Sequence, residues 1–140
     1  MIRRLDHEEE RKLLSTRRIA RLGCVINGEP YVVPVNYIFD GEYAYVHSLP
    51  GRKITALRAH PRACLQVDLI EDTCHWQSVL AFGDFEEIHD PTERAYYLGK
   101  LLARYPLLTP VESAMAEDAE PPSIILFRIR IDKICGISES

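Results

Sequence analysis

The chain has 140 residues, 46% apolar and 27% charged, which fits one globular domain able to bury a core without disulfide or metal staples. Its formal net charge of −4 argues against broad nucleic-acid or anionic-membrane binding, so an anion site would have to be a local pocket.

The first residues, MIRRLDHEEERKLL, lack the apolar run of a secretory signal, and a cytoplasmic location is expected. Asp6-His7-Glu8-Glu9 reads as a helix N-cap with an acidic residue three positions on. That helix is predicted to run to about Ser15, anchored by Leu5, Leu13 and Leu14, with Arg17 and Arg18 beyond it. Ile19 to Ile26 reads as a strand, and Asn27-Gly28 is a two-residue hairpin signal. Tyr31 to Phe39 is the predicted return strand, and Asp40-Gly41 turns it into Glu42 to His47, giving a three-strand meander. Pro34 removes a ladder donor, which demotes its strand to an edge or marks a gap where a ligand can reach the backbone.

A short helix is predicted over residues 52–60, with Ile54 and Leu57 on one face and Pro61 ending it. Arg62 to Ile70 and Trp76 to Ile88 read as strands, and Gly83 inside the second suggests a bulge or sharp bend. Asp90-Pro91 starts a helix to about Tyr105, with Tyr97, Leu98, Leu101 and Leu102 as its stripe. Residues 106–122 read as loop with one helical turn near 111–116. In the last strand, Ser123 to Ile137, residues Ile125, Phe127, Ile129 and Ile131 share a face. The tally is about six antiparallel strands with two to four helices. That is a mainly β, α+β architecture closing as a small barrel, and residues 1–140 form a single domain. No apolar run approaches bilayer length.

Four residue groups could carry chemistry. Arg52 and Lys53 occupy a first helical turn, where the backbone dipole disfavours cations by ~0.3–1 kcal/mol each. With Ser48 and the loop Leu49-Pro50-Gly51 they suggest an anion, phosphate above all, although a solvated basic helix start reads the same way. Val33, Val35 and Tyr37 face one way in their strand and Pro34 and Asn36 the other. Asn36 is either an outward polar residue or a partner for a heteroaromatic edge. His47 precedes the phosphate loop and could stack on a ring, bond to a ligand or donate a proton. Gln77 and Ser78 are polar residues entering the apolar run Val79 to Phe82, just after the sole tryptophan, Trp76.

The four cysteines, at positions 24, 64, 74 and 135, contain no C-x-x-C pair; each except Cys74 lies inside an apolar strand pattern, and they are expected as reduced thiols packed as small hydrophobes. Cys74-His75 has no other ligand at metal spacing, so no metal site is expected. There is no G-x-S-x-G, G-x-G-x-x-G or Walker loop.

The ordered set Ile19-Ala20-Arg21-Leu22-Gly23, Pro30 to Tyr37, Tyr45-Val46-His47-Ser48 with Gly51-Arg52-Lys53, and Trp76-Gln77-Ser78-Val79 with Phe82-Gly83 resembles the pyridoxamine 5′-phosphate oxidase-like superfamily. These are the FMN-binding split β-barrels, and the chain is most similar to the flavin-nucleotide-binding branch that includes nitroimidazole-resistance proteins. The resemblance implies a homodimer with FMN in two sites along its interface. By motif, Val33, Pro34, Val35 and Asn36 would lie along the isoalloxazine, and His47 and Ser48 would line the ring-to-ribityl path. Arg52 and Lys53 would hold the phosphate, and Gln77 and Ser78 would reach in from the partner subunit. The chain ends in Ile131 to Ile137 without the Trp- and Arg-containing motif of vitamin-B6 oxidases, so that activity is not expected. An FMN-dependent oxidoreductase acting on a nitroaromatic or quinone-like acceptor is the first functional expectation. A non-catalytic flavin carrier or sensor is the second. The third keeps the fold with a deazaflavin, or with haem ligated by His47, His75 or His89.

Overall fold

The computed structural model describes residues 1–105 and 124–140. Along the chain the elements are β1 (Ile2–Arg4), α1 (His7–Thr16), β2 (Ile19–Ile26), β3 (Glu29–Asn36), β4 (Ile38–Phe39), β5 (Tyr43–Ser48), α2 (Arg52–Ala59), β6 (Arg62–Asp72), β7 (His75–Glu87), α3 (Pro91–Arg104) and β8 (Ile125–Glu139). The strands form one antiparallel sheet in the order β3-β2-β6-β7-β8-β5-β4, with β1 paired to β8. The mainly β expectation holds. The predicted turn and loop at residues 106–122 lie outside the described residues.

The return strand predicted over residues 31–39 is two strands. It breaks at Tyr37, so that β3 pairs with β2 while β4 pairs with β5. The expected meander is therefore corrected: β5 lies against β4 and β8, and no ladder joins it to β3. The cause is the anchoring of Tyr37, whose side chain is fully buried and whose hydroxyl donates to the Leu14 carbonyl of α1. A strand cannot stay in register while one residue is pulled beneath it. Pro34 sits on β3, the terminal strand of the sheet, where its missing donor costs no ladder bond. The seam between β3 and β5 is where the barrel is split.

The local signals are realised as hydrogen bonds. Asp6 caps α1 by accepting from the Glu9 amide at 2.9 Å, and Glu9 accepts from the Asp6 amide at 2.9 Å, a complete capping box. Asp90 caps α3 in front of Pro91. Gly83 sits at the register shift between β7 and β8, where Asp132 is the unpaired extra residue.

One face of the long strands fills the barrel, including Leu22, Leu65, Val67, Val79, Phe127 and Ile129, each at most 1% exposed. Burying a side chain of this kind contributes ~1.5–3 kcal/mol. A smaller cluster under α3 joins Tyr45, Ile88, Leu101 and Leu126, with Tyr45 stacked on Tyr97 at 4.0 Å between ring centres.

Antiparallel partners lie on the same side of a sheet, so the registers also define the outer face. That face carries Val32, Ile19, Val25, Ile70 and Ile137, all exposed, beside the half-buried Leu80 and Phe82. At its centre Arg21 donates to Asp68 at 2.7 Å and to Gln66 at 3.1 Å, and the Gln66 amide donates to Ser78 at 3.1 Å. Cys135 is exposed on the same face, contrary to the packed position expected for it, because its strand position pairs with the outward Leu80. Cys24 is buried and Cys64 half-buried, as expected, and Cys74 is exposed.

Candidate functional site

The seam opens into a cleft of about 480 Å³, within the ~300–1,000 Å³ usual for small-molecule sites. Pro34, Val35 and Asn36 from β3 line one wall, and His47 and Ser48 from the end of β5 line the other. The floor rises through Leu49, Pro50 and Gly51 to Arg52 and Lys53 at the start of α2. The fold thus brings together seven of the residues singled out from the sequence. Three lie elsewhere in the same chain. Val33 points into the barrel core. Gln77 and Ser78 sit on β7, Ser78 in the outer-face network and Gln77 at the far end of the strand beside Trp76 and Glu139.

The start of α2 explains why an anion suits this cleft. Gly51 is the N-cap, no side chain caps the helix, and no acidic residue occupies its first turn. The leading amides of such a helix lack the acceptor that a Ser or Asp cap would give them. Arg52 and Lys53 add two positive charges at the same point, and among the described residues no carboxylate lines the cleft. The residues present therefore fit a phosphate. Ser48 is buried and its hydroxyl donates to the Leu49 carbonyl at 3.0 Å, which stiffens the turn into the loop.

Burial pushes the Cys24 thiol above its ordinary pKa, and the nearby Lys53 charge pulls it part of the way back. Burial likewise holds the Tyr37 phenol well above its usual value, with the neighbouring Tyr105 adding to the rise.

Ile19, Tyr31 and Tyr105 also line the cleft and were not read from the sequence as site residues. Tyr31 alternates with Val33 and Val35 along β3, a signal available in the sequence. Tyr105 carried none, since its place depends on the end of α3 returning to the seam. Its hydroxyl reaches the Arg18 carbonyl at 2.7 Å and the Tyr37 carbonyl at 2.6 Å, pinning the mouth of the cleft.

Of the histidines considered as haem ligands, only His47 lines the cleft. His75 pairs with Asp72 at 2.8 Å and His89 with Glu87 at 3.4 Å, both at exposed positions. Among the described residues no cluster of three metal-ligating side chains occurs, and no helix is long and apolar enough to cross a membrane.

The solved structure of an FAD-binding protein from Mesorhizobium loti matches all of this chain and 99% of its own, at 32% identity and a TM-score of 0.80. A candidate 5-nitroimidazole antibiotic resistance protein from Bacteroides thetaiotaomicron matches 99% of this chain and 87% of its own, at 21% identity and a TM-score of 0.76, a likeness of fold. An uncharacterised protein from Rhizobium meliloti (strain 1021) is 32% identical over 87 residues, which are 62% of this chain and 58% of that relative's length. The profile of one protein family, described as pyridoxamine 5′-phosphate oxidase, matches residues 6–138, from the cap of α1 through almost all of β8. The split sheet, the seam cleft and this match agree, and the chain belongs to the pyridoxamine 5′-phosphate oxidase family.

Proposed function

We propose that the seam cleft holds a flavin through its mononucleotide unit, as FMN, and that the protein is a flavin-dependent oxidoreductase for a small nitroaromatic or quinone-like acceptor. The observation that carries this reading is the shape and charge of one site: a cleft of about 480 Å³ that ends on an uncapped helix start bearing Arg52 and Lys53. The Mesorhizobium loti relative binds FAD, which contains the same riboflavin phosphate unit.

Arg52 offers the phosphate a planar fork and Lys53 a point charge. The Ser48 hydroxyl and the amides beyond Gly51 complete that end. Pro34 and Val35 give the ring an apolar wall, and the Asn36 carboxamide can donate to and accept from its heteroatom edge. His47, at the opposite wall, is the proton source nearest the ring. The bound flavin supplies electron transfer from a reduced nicotinamide donor to the acceptor, and the protein supplies orientation and charge.

The active unit is a homodimer built on the outer sheet face. Support comes from the exposed Val32, Ile19, Val25, Ile70 and Ile137 on that face and from the position of Ser78 at its centre. In this arrangement Ser78 serves the partner's cleft, which accounts for its distance from the cleft of its own chain, whereas Gln77, one residue before it on β7, projects from the opposite face and lies off this interface.

A charge-assisted contact to phosphate is worth ~1.5–3 kcal/mol. Lys53→Ala should therefore weaken flavin binding at least tenfold in a fluorescence-quenching titration, and unchanged affinity would place the phosphate elsewhere. Turnover of reduced nicotinamide with a nitroaromatic and quinone panel separates a catalyst from a carrier: a carrier binds the flavin but shows no acceptor-dependent oxidation.

A further inference from the structure

Where Tyr105 borders the seam cleft, three arginines converge from the ends of two helices. Arg17 is the C-cap of α1 and Arg18 follows it, while Arg104 ends α3. The guanidinium carbons of Arg18 and Arg104 both stand 5.6 Å from the centre of the Tyr105 ring. With Thr16, Arg17 and Arg18 line a separate cleft of about 450 Å³. Its lining continues along the start of β2 to Arg21 and Asp68 on the sheet face proposed for the dimer. The part of interest is the turn between α1 and β2, which lies off the sheet. Asp68 is the one carboxylate lining this cleft among the described residues, and it already accepts from Arg21 at 2.7 Å and from the Gln66 amide at 3.0 Å.

Cations suit helix C-termini, where backbone carbonyls lack donors. That accounts for two of the three arginines: Arg18 donates to the Arg104 carbonyl at 3.1 Å, and Arg104 to the Arg17 carbonyl at 3.0 Å. It does not account for Arg17, whose Nε is the one buried side-chain nitrogen or oxygen without a hydrogen-bond partner among the described residues. A buried donor left unpaired costs its full desolvation, and like charges gathered in one place repel. An anion in the cleft relieves both.

We propose that Arg17 and Arg18 hold the pyrophosphate of the dinucleotide electron donor, with its nicotinamide in the seam cleft beyond Tyr105. The inference rests on the oxidoreductase reading above and deepens it by giving the reduced nicotinamide donor a place. Two guanidinium forks match two linked phosphates. Tyr105 joins the two clefts, since it lines the first and packs against Arg18 of the second. Arg52 and Lys53 serve the flavin phosphate at the start of α2, so a second anionic ligand needs a second pair of cations.

The test is calorimetric titration of the FMN-loaded full chain with the tetrahydro analogues of NADH and NADPH, which resemble the reduced donors and transfer no hydride. Both should bind. Arg17→Gln and Arg18→Gln should each weaken both analogues by about tenfold or more and leave FMN affinity unchanged. Arg18 is exposed, so its variant serves if the Arg17 variant does not fold. Unchanged analogue affinity in the folded variants would overturn the site, as would an equal loss of FMN. A loss confined to the NADPH analogue would place the contact on the phosphate of its adenosine ribose and overturn the pyrophosphate assignment. A loss seen for para-nitrobenzoate, an acceptor with a carboxylate, and not for the dinucleotides would overturn it too. Analogues that fail to bind the FMN-loaded parent would remove this inference and leave the flavin reading intact. Failure of FMN itself to bind would remove both.

Discussion

Gly83 shows how much one missing side chain can control. It lies where β7 and β8 slip register, and a Cβ placed there would come within 2.1 Å of the Arg130 carbonyl oxygen. That neighbour is backbone and cannot rotate away. Gly83→Ala should therefore destabilise the fold by ~1–3 kcal/mol or more, read as a lower urea midpoint at an unchanged slope. An unchanged midpoint would show that the two strands can separate there without cost. The position was visible in the sequence, because glycine inside a strand pattern asks for a bulge or a close backbone. Tyr105 was not visible, because its hydroxyl bonds to carbonyls of Arg18 and Tyr37 that only tertiary folding brings near.

At the scale of elements, α1 is tied to the start of the chain through Glu9. The Arg3 guanidinium donates two hydrogen bonds to the Glu9 carboxylate, at 2.8 and 3.0 Å, and the Asp6 amide donates a third. These hold the Glu9 carboxyl down to about 2. A depressed carboxylate stabilises the fold fully above its unfolded value, ~4.3, and loses that contribution as pH falls towards about 2. The protection of the α1 amides, taken relative to their intrinsic exchange rate at each pH, should therefore fall over that window, and Glu9→Gln should remove the dependence. A Glu9 carboxyl titrating near 4.3 by NMR would refute the pairing. The capping box was legible because it is local: Asp6 and Glu9 are one helical turn apart. The break at Tyr37 was not, since residues 31–39 have a continuous strand pattern. What divides them is a partner in α1, Leu14, far away in the sequence. For the same reason the grouping of Ser48 with Arg52 and Lys53 was legible from nearby spacing, whereas the wall residues Pro34, Val35 and Asn36 were placed together by the family resemblance. The sequence could not show which of them share one chain's cleft, as the separate positions of Gln77 and Ser78 illustrate.

The molecule as a whole presents one broad sheet face with exposed aliphatic side chains around the Arg21, Gln66, Asp68 and Ser78 network. Val32 is the most exposed aliphatic residue of β3, at 66%. On the dimer proposed above, Val32→Arg should shift the protein to monomers in analytical ultracentrifugation at micromolar concentration, without lowering the monomer's helix and strand content by circular dichroism. A dimer of undiminished stability would move the interface to another face. The sheet order has a further consequence for biosynthesis. β8 is the hub that pairs with β1, β5 and β7, yet it is the last strand in the chain. Until β8 has left the ribosome, the strands described before it form two unconnected pieces of sheet, β3-β2-β6-β7 and β4-β5. The apolar edges that β8 will cover wait in the meantime for chaperones or for each other.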